Sequence, residues 1–303
     1  MKIKTSFSRL AVIPVLALLL FTASCKKDNS QTANNGQSAE LVMEASVSEV
    51  TLQSAFDDVF DNTAGIDGVT AGEDLGIYGG TGVGIFPGQA SVSGTEEPTT
   101  RCFTVTVTPK DKGVFPKTVV IDFGTGCTAR EHLRKGKIIT VYSGPLHKPG
   151  STAVTTFDGY QVDSFKVGGK HTILNSTEPG ANQRSFTRTV ENARLTNVNT
   201  NFWRSWSGIL VMKQVEGNGT PFYPLDDIYQ FTGSRKGENA KGRSWSSTIV
   251  NPLVKAFTCR WISKGTVEIR VNDTVGVLDF GNGACDNTAT VTVNGVSREI
   301  TLR

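Results

Sequence analysis

The chain has 303 residues, with 31 basic and 28 acidic side chains. Three of the basic residues, Lys2, Lys4 and Arg9, fall in the first 24 positions, where no acidic residue occurs; the remainder therefore carries 28 of each sign and a formal net charge of zero. That balance excludes a nucleic-acid partner held by a clustered positive excess.

In chain order, the first element is a secretory signal. The three early cations precede an apolar run from Leu10 to Phe21, and Thr22, Ala23 and Ser24 supply small residues before Cys25. The run is too short to span a bilayer and contains Pro14. Ala-Ser-Cys behind such a run resembles the lipobox of bacterial lipoproteins, with Thr22 where that pattern usually has leucine. The resemblance implies loss of residues 1–24 and acylation of Cys25, palmitate being one such chain, which anchors the mature protein to a membrane. Residues 25–38 are polar and aperiodic and read as a flexible tether.

Residues 39–61 read as an amphipathic helix. Leu41, Val42, Ala45, Leu52, Ala55, Phe56, Val59 and Phe60 recur at helical spacing, and Glu44, Glu49, Gln53 and Asp57 take the other side. The apolar stripe is expected to dock on the rest of the domain. Residues 62–100 form a loop-rich linker. Its glycine-rich run Leu75–Gly88 lacks the preceding strand and following helix that a nucleotide-binding loop requires.

From residue 101 to 303 the period changes to two. Phe103, Val105 and Val107 alternate with threonines, Val267, Ile269 and Val271 alternate with Glu268 and Arg270, and Asn294-Gly295 marks a two-residue hairpin turn. Ile209–Val211 reads as a strand covered on both faces. The middle, 135–250, is rich in Thr, Ser, Asn and Arg; Ser185–Glu191, for example, has only a thin apolar face. The expected fold is mainly β: antiparallel sheets, sandwich-like or as one broad curved sheet, with one N-terminal helix.

An internal duplication spans 101–143 and 258–303. Asp122-Phe123-Gly124-Thr125-Gly126-Cys127 returns as Asp279-Phe280-Gly281-Asn282-Gly283-Ala284-Cys285, and Cys102 and Asp122 recur at Cys259 and Asp279 with one shared displacement. Apart from Cys25 the cysteines are Cys102, Cys127, Cys259 and Cys285, an even set with no metal-ligand spacing. The repeat favours Cys102–Cys127 and Cys259–Cys285, each closing a loop of about 25 residues and contributing about 3 kcal/mol in the chain-entropy picture.

Candidate sites are few. The Asp-Phe-Gly triplets lack every other kinase landmark. Asp279, Asn282 and Asp286 offer oxygens that either hold a Ca²⁺ ion or cap a tight turn. His132, His147 and His171 show no metal or catalytic spacing, and Asp226, Asp227 and Glu191 are carboxylates that nothing singles out. Phe202, Trp206 and Trp245 form the candidate ligand platform among the aromatic residues of the second half, with core burial as the competing reading. No cofactor is called for.

The motifs Asp122–Cys127, Arg134–Ile139, Trp245–Ser247, Cys259–Ile262 and Asp279–Asn287 resemble a family of Bacteroidota lipoproteins, over about residues 101–303. Lys26-Lys27-Asp28 is similar to the charged export tag of surface lipoproteins in that phylum. The resemblance implies the cell envelope, lipid-anchored at the outer membrane on its surface or periplasmic face, and transfers no catalytic residue. The expectation is a non-catalytic binding or structural module, with a glycan or an envelope protein as partner. The alternatives are a glycan-active enzyme on a β scaffold and a subunit of an envelope assembly that docks through the helix.

Overall fold

The computed structural model describes residues 29–64, 75–77, 102–129, 132–221 and 223–302. The stretch expected to be a signal peptide, Cys25 and the glycine-rich run beyond Ile77 lie outside the described residues. Helix α1 (Asn29–Ala64) precedes fourteen strands: β1 (Thr104–Thr108), β2 (Lys117–Asp122), β3 (Cys127–Ala129), β4 (His132–Tyr142), β5 (Thr152–Val162), β6 (Phe165–Asn175) and β7 (Ser185–Asn197) come first. They continue as β8 (Trp203–Glu216), β9 (Ile228–Asn239), β10 (Ser244–Ala256), β11 (Lys264–Val271), β12 (Thr274–Asn282), β13 (Thr288–Val293) and β14 (Val296–Thr301). Among the described residues the protein is mainly β, one antiparallel sheet that does not close, with a single N-terminal α-helix.

The sheet is a meander in which each strand pairs with its successor, except that short β3 folds onto β4 and leaves β2 to pair β4 as well. Period-two alternation decides which side chains point inward. On β7, Phe186, Arg188 and Val190 are buried and the threonines between them face out. Asn294 and Gly295 both take positive φ, 51° and 78°, the turn that matches strand twist at a two-residue hairpin. Register shifts recur along the central pairs, including β4–β5, β6–β7 and β9–β10. Such bulges bend strands. The sheet curls so far that α1 packs against β5, β8, β11, β12 and β13.

Gly276 on β12 shows how closely the helix is seated: a Cβ there would lie 2.5 Å from Val42 Cγ1. Val42, Leu52, Phe56 and Val59 are fully buried, as the helical spacing predicts.

Three expectations need correction. The helix begins at Asn29, so residues 29–38 are helical rather than tether; apolar spacing marks only the packed part, and extending a nucleated helix is far easier than starting one. The supposed solvent side is also covered, with Glu49 and Gln53 buried, because the sheet wraps both flanks and brings arginines to meet the acids. Finally, Ile209 and Val211 are 53% and 39% exposed while Leu210 is buried. This strand is covered on one face only.

Both copies of the Asp-Phe-Gly motif sit on the second strand of an antiparallel pair: Asp122 on β2 faces Thr104 on β1, and Asp279 on β12 faces Thr266 on β11. Gly124 N–H donates to Asp122 Oδ1 at 2.9 Å, and Gly281 N–H to Asp279 Oδ1 at 2.8 Å. Phe123 and Phe280 point inward, and the disulfides are Cys102–Cys127 and Cys259–Cys285.

Candidate functional site

Helix and sheet are held together by buried ion pairs. Arg235 on β9 donates to Glu49 Oε1 and Gln53 Oε1, and Trp245 Nε1 on β10 donates to Glu49 Oε2 at 3.3 Å. Arg188 on β7 reaches Asp57 Oδ1 at 3.0 Å and the Phe56 carbonyl at 3.2 Å, with its guanidinium over the Phe60 ring. Arg134 on β4 meets Asp58 Oδ1 at 2.6 Å, and Tyr160 O–H on β5 donates to Asp58 Oδ2 at 3.1 Å. Burial alone would raise the Asp57 carboxyl; Lys255 and Arg188, with hydrogen bonds from Gln53 and Arg188, hold it below the usual carboxylate range. Burial drives the Tyr160 hydroxyl well up, so it stays a neutral donor.

Beside this clasp lies a cavity of about 770 Å³, within the size range of small-molecule sites. The Glu49–Asp61 stretch of α1 forms one wall. Leu253, Ile262, Val267, Leu278 and Phe280 give an apolar wall from the β10–β12 side, and Val162 and Phe165 face in from the β5–β6 turn.

Its lip joins strands that are far apart in the sheet order. His132 opens β4, Asp163 sits in the β5–β6 turn at φ 50°, and Arg260 and Trp261 lie in the β10–β11 connection. Arg260 Nη2 donates to His132 Nε2 at 2.9 Å, which leaves His132 Nδ1 to donate to Asp163 Oδ2 at 2.7 Å. Asp163 Oδ1 also accepts the Leu133 N–H at 3.0 Å. The Cys259–Cys285 disulfide fixes the chain next to Arg260 and Trp261. Arg235 and Trp261 also line the cavity; Arg235 Nε and Trp261 Nε1 themselves are buried and have no hydrogen-bond partner among the described residues. Family models, curated proteins and solved structures give no match to this chain. The reading of the site therefore rests on its geometry.

The candidate platform is not a surface. Trp206 and Trp245 are buried against α1, where Trp206 packs edge-on to Phe56. Phe202 stays half-exposed and is covered by Arg204 and Lys241. On a sheet curled round a helix, alternation sends Trp206 inward with Leu210 and Met212.

Asp279, Asn282 and Asp286 lie at and beyond the end of β12. One oxygen of each aspartate is taken up locally: Asp279 Oδ1 by the Gly281 N–H, and Asp286 Oδ1 by the Thr288 N–H and hydroxyl. Among the described residues no three His, Cys, Asp or Glu side chains are placed to hold a metal. Asp227 accepts from Gln214 and Tyr229, while Glu191 pairs with Lys170 at the surface.

His132, Asp163, Arg260 and Trp261 went unmarked in the sequence as a group. They come from three turns or strand ends, and only Cys259-Arg260-Trp261, at the repeated cysteine, carried a local signal.

Proposed function

We propose that the chain is an exported, lipid-anchored binding module of the cell envelope, with its ligand in the cavity beside α1. The observation that carries this reading is the cavity itself, about 770 Å³ in volume, with Leu253, Ile262, Val267, Leu278 and Phe280 on one side and the Glu49–Asp61 stretch of the helix on the other. Two disulfides are compatible with an oxidising compartment, and acylation at Cys25 follows the resemblance to lipoproteins. The Glu49–Asp61 wall begins 20 residues beyond Asn29, about 30 Å along a helix. The lipid and the ligand seat are thus separate places on the molecule.

Binding rather than turnover is supported by the state of the wall carboxylates. A glycosidase needs a carboxylic acid with a raised pKa facing an ionised partner. Asp57 is instead held low by Lys255 and Arg188, and Asp58 is engaged by Arg134 and Tyr160.

The test is binding of the neutral dye N-phenyl-1-naphthylamine to the mature protein. The expected result is saturable fluorescence at one dye per chain, lost in Ala55→Phe, whose ring would enter the cavity. Dye binding unchanged in Ala55→Phe, with the variant folded by circular dichroism, overturns the assignment.

A further inference from the structure

We propose that β1 is a self-association edge: the strand pairs antiparallel with β1 of a second copy of this chain, about a two-fold axis at Thr106. This edge is separate from the cavity, which no β1 residue lines.

The sheet does not close, so β1 and β14 are its edges, and among the described residues β1 pairs with β2 alone. Alternate residues of an antiparallel strand turn their N–H and C=O groups toward each neighbour. Half of the β1 backbone groups therefore face outward along this edge. Such an edge is a template for another strand unless charge, a bulge or a covering element blunts it. β14 is blunted by Arg298 and Glu299. β1 has no charged side chain, and its register with β2 runs without a bulge from Thr104–Asp122 to Thr108–Thr118. Thr104, Thr106 and Thr108 are exposed, and Val105 and Val107 are half-buried.

The order of residues in the strand selects the partner. Thr-Val-Thr-Val-Thr reads the same in both directions. Centred on Thr106, an antiparallel pair of copies sets Thr104 against Thr108, Thr106 against Thr106, and each Val105 against a Val107. Threonine meets threonine on the exposed face, and valine meets valine on the face shared with Ile121 and Val119 of β2. Cross-strand pairs of both kinds are favourable, and no like charges oppose each other. A two-fold contact also stops at two copies, whereas β1 laid on β14 of a neighbour is head-to-tail and has no such limit. Five residues a side give about four to six backbone hydrogen bonds. That is less than the roughly 1,000 Å² of a lasting interface, so the pair is weak and reversible.

The test is disulfide trapping in the mature protein, which captures a pair that dilution would separate, with the unmutated chain as the baseline. Thr106→Cys should cross-link to its own copy under mild oxidation, because directly opposed residues bring their Cβ atoms within about 5.5 Å. Two copies of Thr104→Cys stand about 14 Å apart in this register, beyond disulfide reach, and should cross-link at least roughly tenfold more slowly. Mixed with Thr108→Cys, Thr104→Cys should react as fast as Thr106→Cys does. No cross-link in Thr106→Cys, or equal rates for Thr106→Cys and Thr104→Cys each alone, overturns the pairing. A cross-link from Thr106→Cys only to Arg298→Cys makes the contact head-to-tail and overturns it too. Hydrogen exchange in the unmutated protein depends on no variant folding. The outward amides of Thr104–Thr108 should exchange severalfold more slowly as protein concentration rises, while those of Val296–Thr301 stay unchanged. β1 exchange that is independent of concentration overturns the proposal.

Discussion

At the scale of single residues, the interior is organised around charges that could not survive there alone. Glu49 and Arg235 are each 3% exposed. Removing one member leaves the other buried and uncompensated, whereas replacing both with apolar groups of similar size is often close to neutral. Glu49→Ala should therefore cost about 3–5 kcal/mol in urea unfolding, and Glu49→Leu combined with Arg235→Met should recover most of it. His171 makes a different statement. It is fully buried at the Phe56 ring, with neither ring nitrogen bonded among the described residues, and burial, reinforced by Arg188, lowers its pKa to about 3. The unfolded chain binds a proton at the ordinary histidine value and the folded chain does not. Stability from this group is complete above about pH 6.5 and is lost as pH falls toward 3, at about 1.4 kcal/mol per pH unit inside that window. Between pH 7.5 and 5 the protein should lose about 2 kcal/mol, and His171→Phe should flatten that slope. Asp57 also loses its contribution on acidification, but below its ordinary carboxylate range, so the two are separable. An unaltered slope in His171→Phe would place the proton uptake elsewhere.

At the scale of elements, the helix and sheet specify each other. Gly276 admits Val42 against β12. Gly276→Ala should destabilise by about 1–3 kcal/mol through overpacking, and Val42→Ala in the same chain should offset part of that loss, a coupling that a double-mutant cycle reads directly. Additive effects would mean that the methyl is absorbed elsewhere. Strands were legible in the sequence wherever alternation was clean, as at Val267–Val271, and the hairpin at Asn294-Gly295 was legible from its turn chemistry. The disulfides were legible because the duplication displaces cysteine and aspartate together. The helix flank was misread because Glu49, Gln53 and Asp57 look like a wet face until the arginines that meet them, Arg188 and Arg235, are known to point inward. Those arginines come from polar strands more than 120 residues away, and no local pattern carries that information. The lip of the cavity was hidden for the same reason. His132, Asp163 and Arg260 meet only because bulges curl the meander.

At the scale of the whole molecule, the proposed function joins a lipid-anchored N-terminal end to a ligand-binding body. α1 runs 36 residues, about 54 Å, and begins four positions after Cys25. No helix of the described residues is long and apolar enough to cross a membrane; the proposed function puts attachment at the lipid on Cys25. A Cys25→Ala form that is still cleaved should be released from membranes on fractionation, and a cleaved form retained like the parent would contradict the anchor. The body should fold and bind without it, since the cavity walls come from Glu49 onward.

The central claim is that ligand enters the space between α1 and the sheet. Its most direct test is the ¹⁵N-indole spectrum of the four-tryptophan chain as N-phenyl-1-naphthylamine is added. The account predicts that the Trp261 resonance shifts to saturation with one equivalent while Trp203, stacked under Arg194 away from the cavity wall, stays in place. A saturable shift of Trp203 with Trp261 unmoved would contradict it.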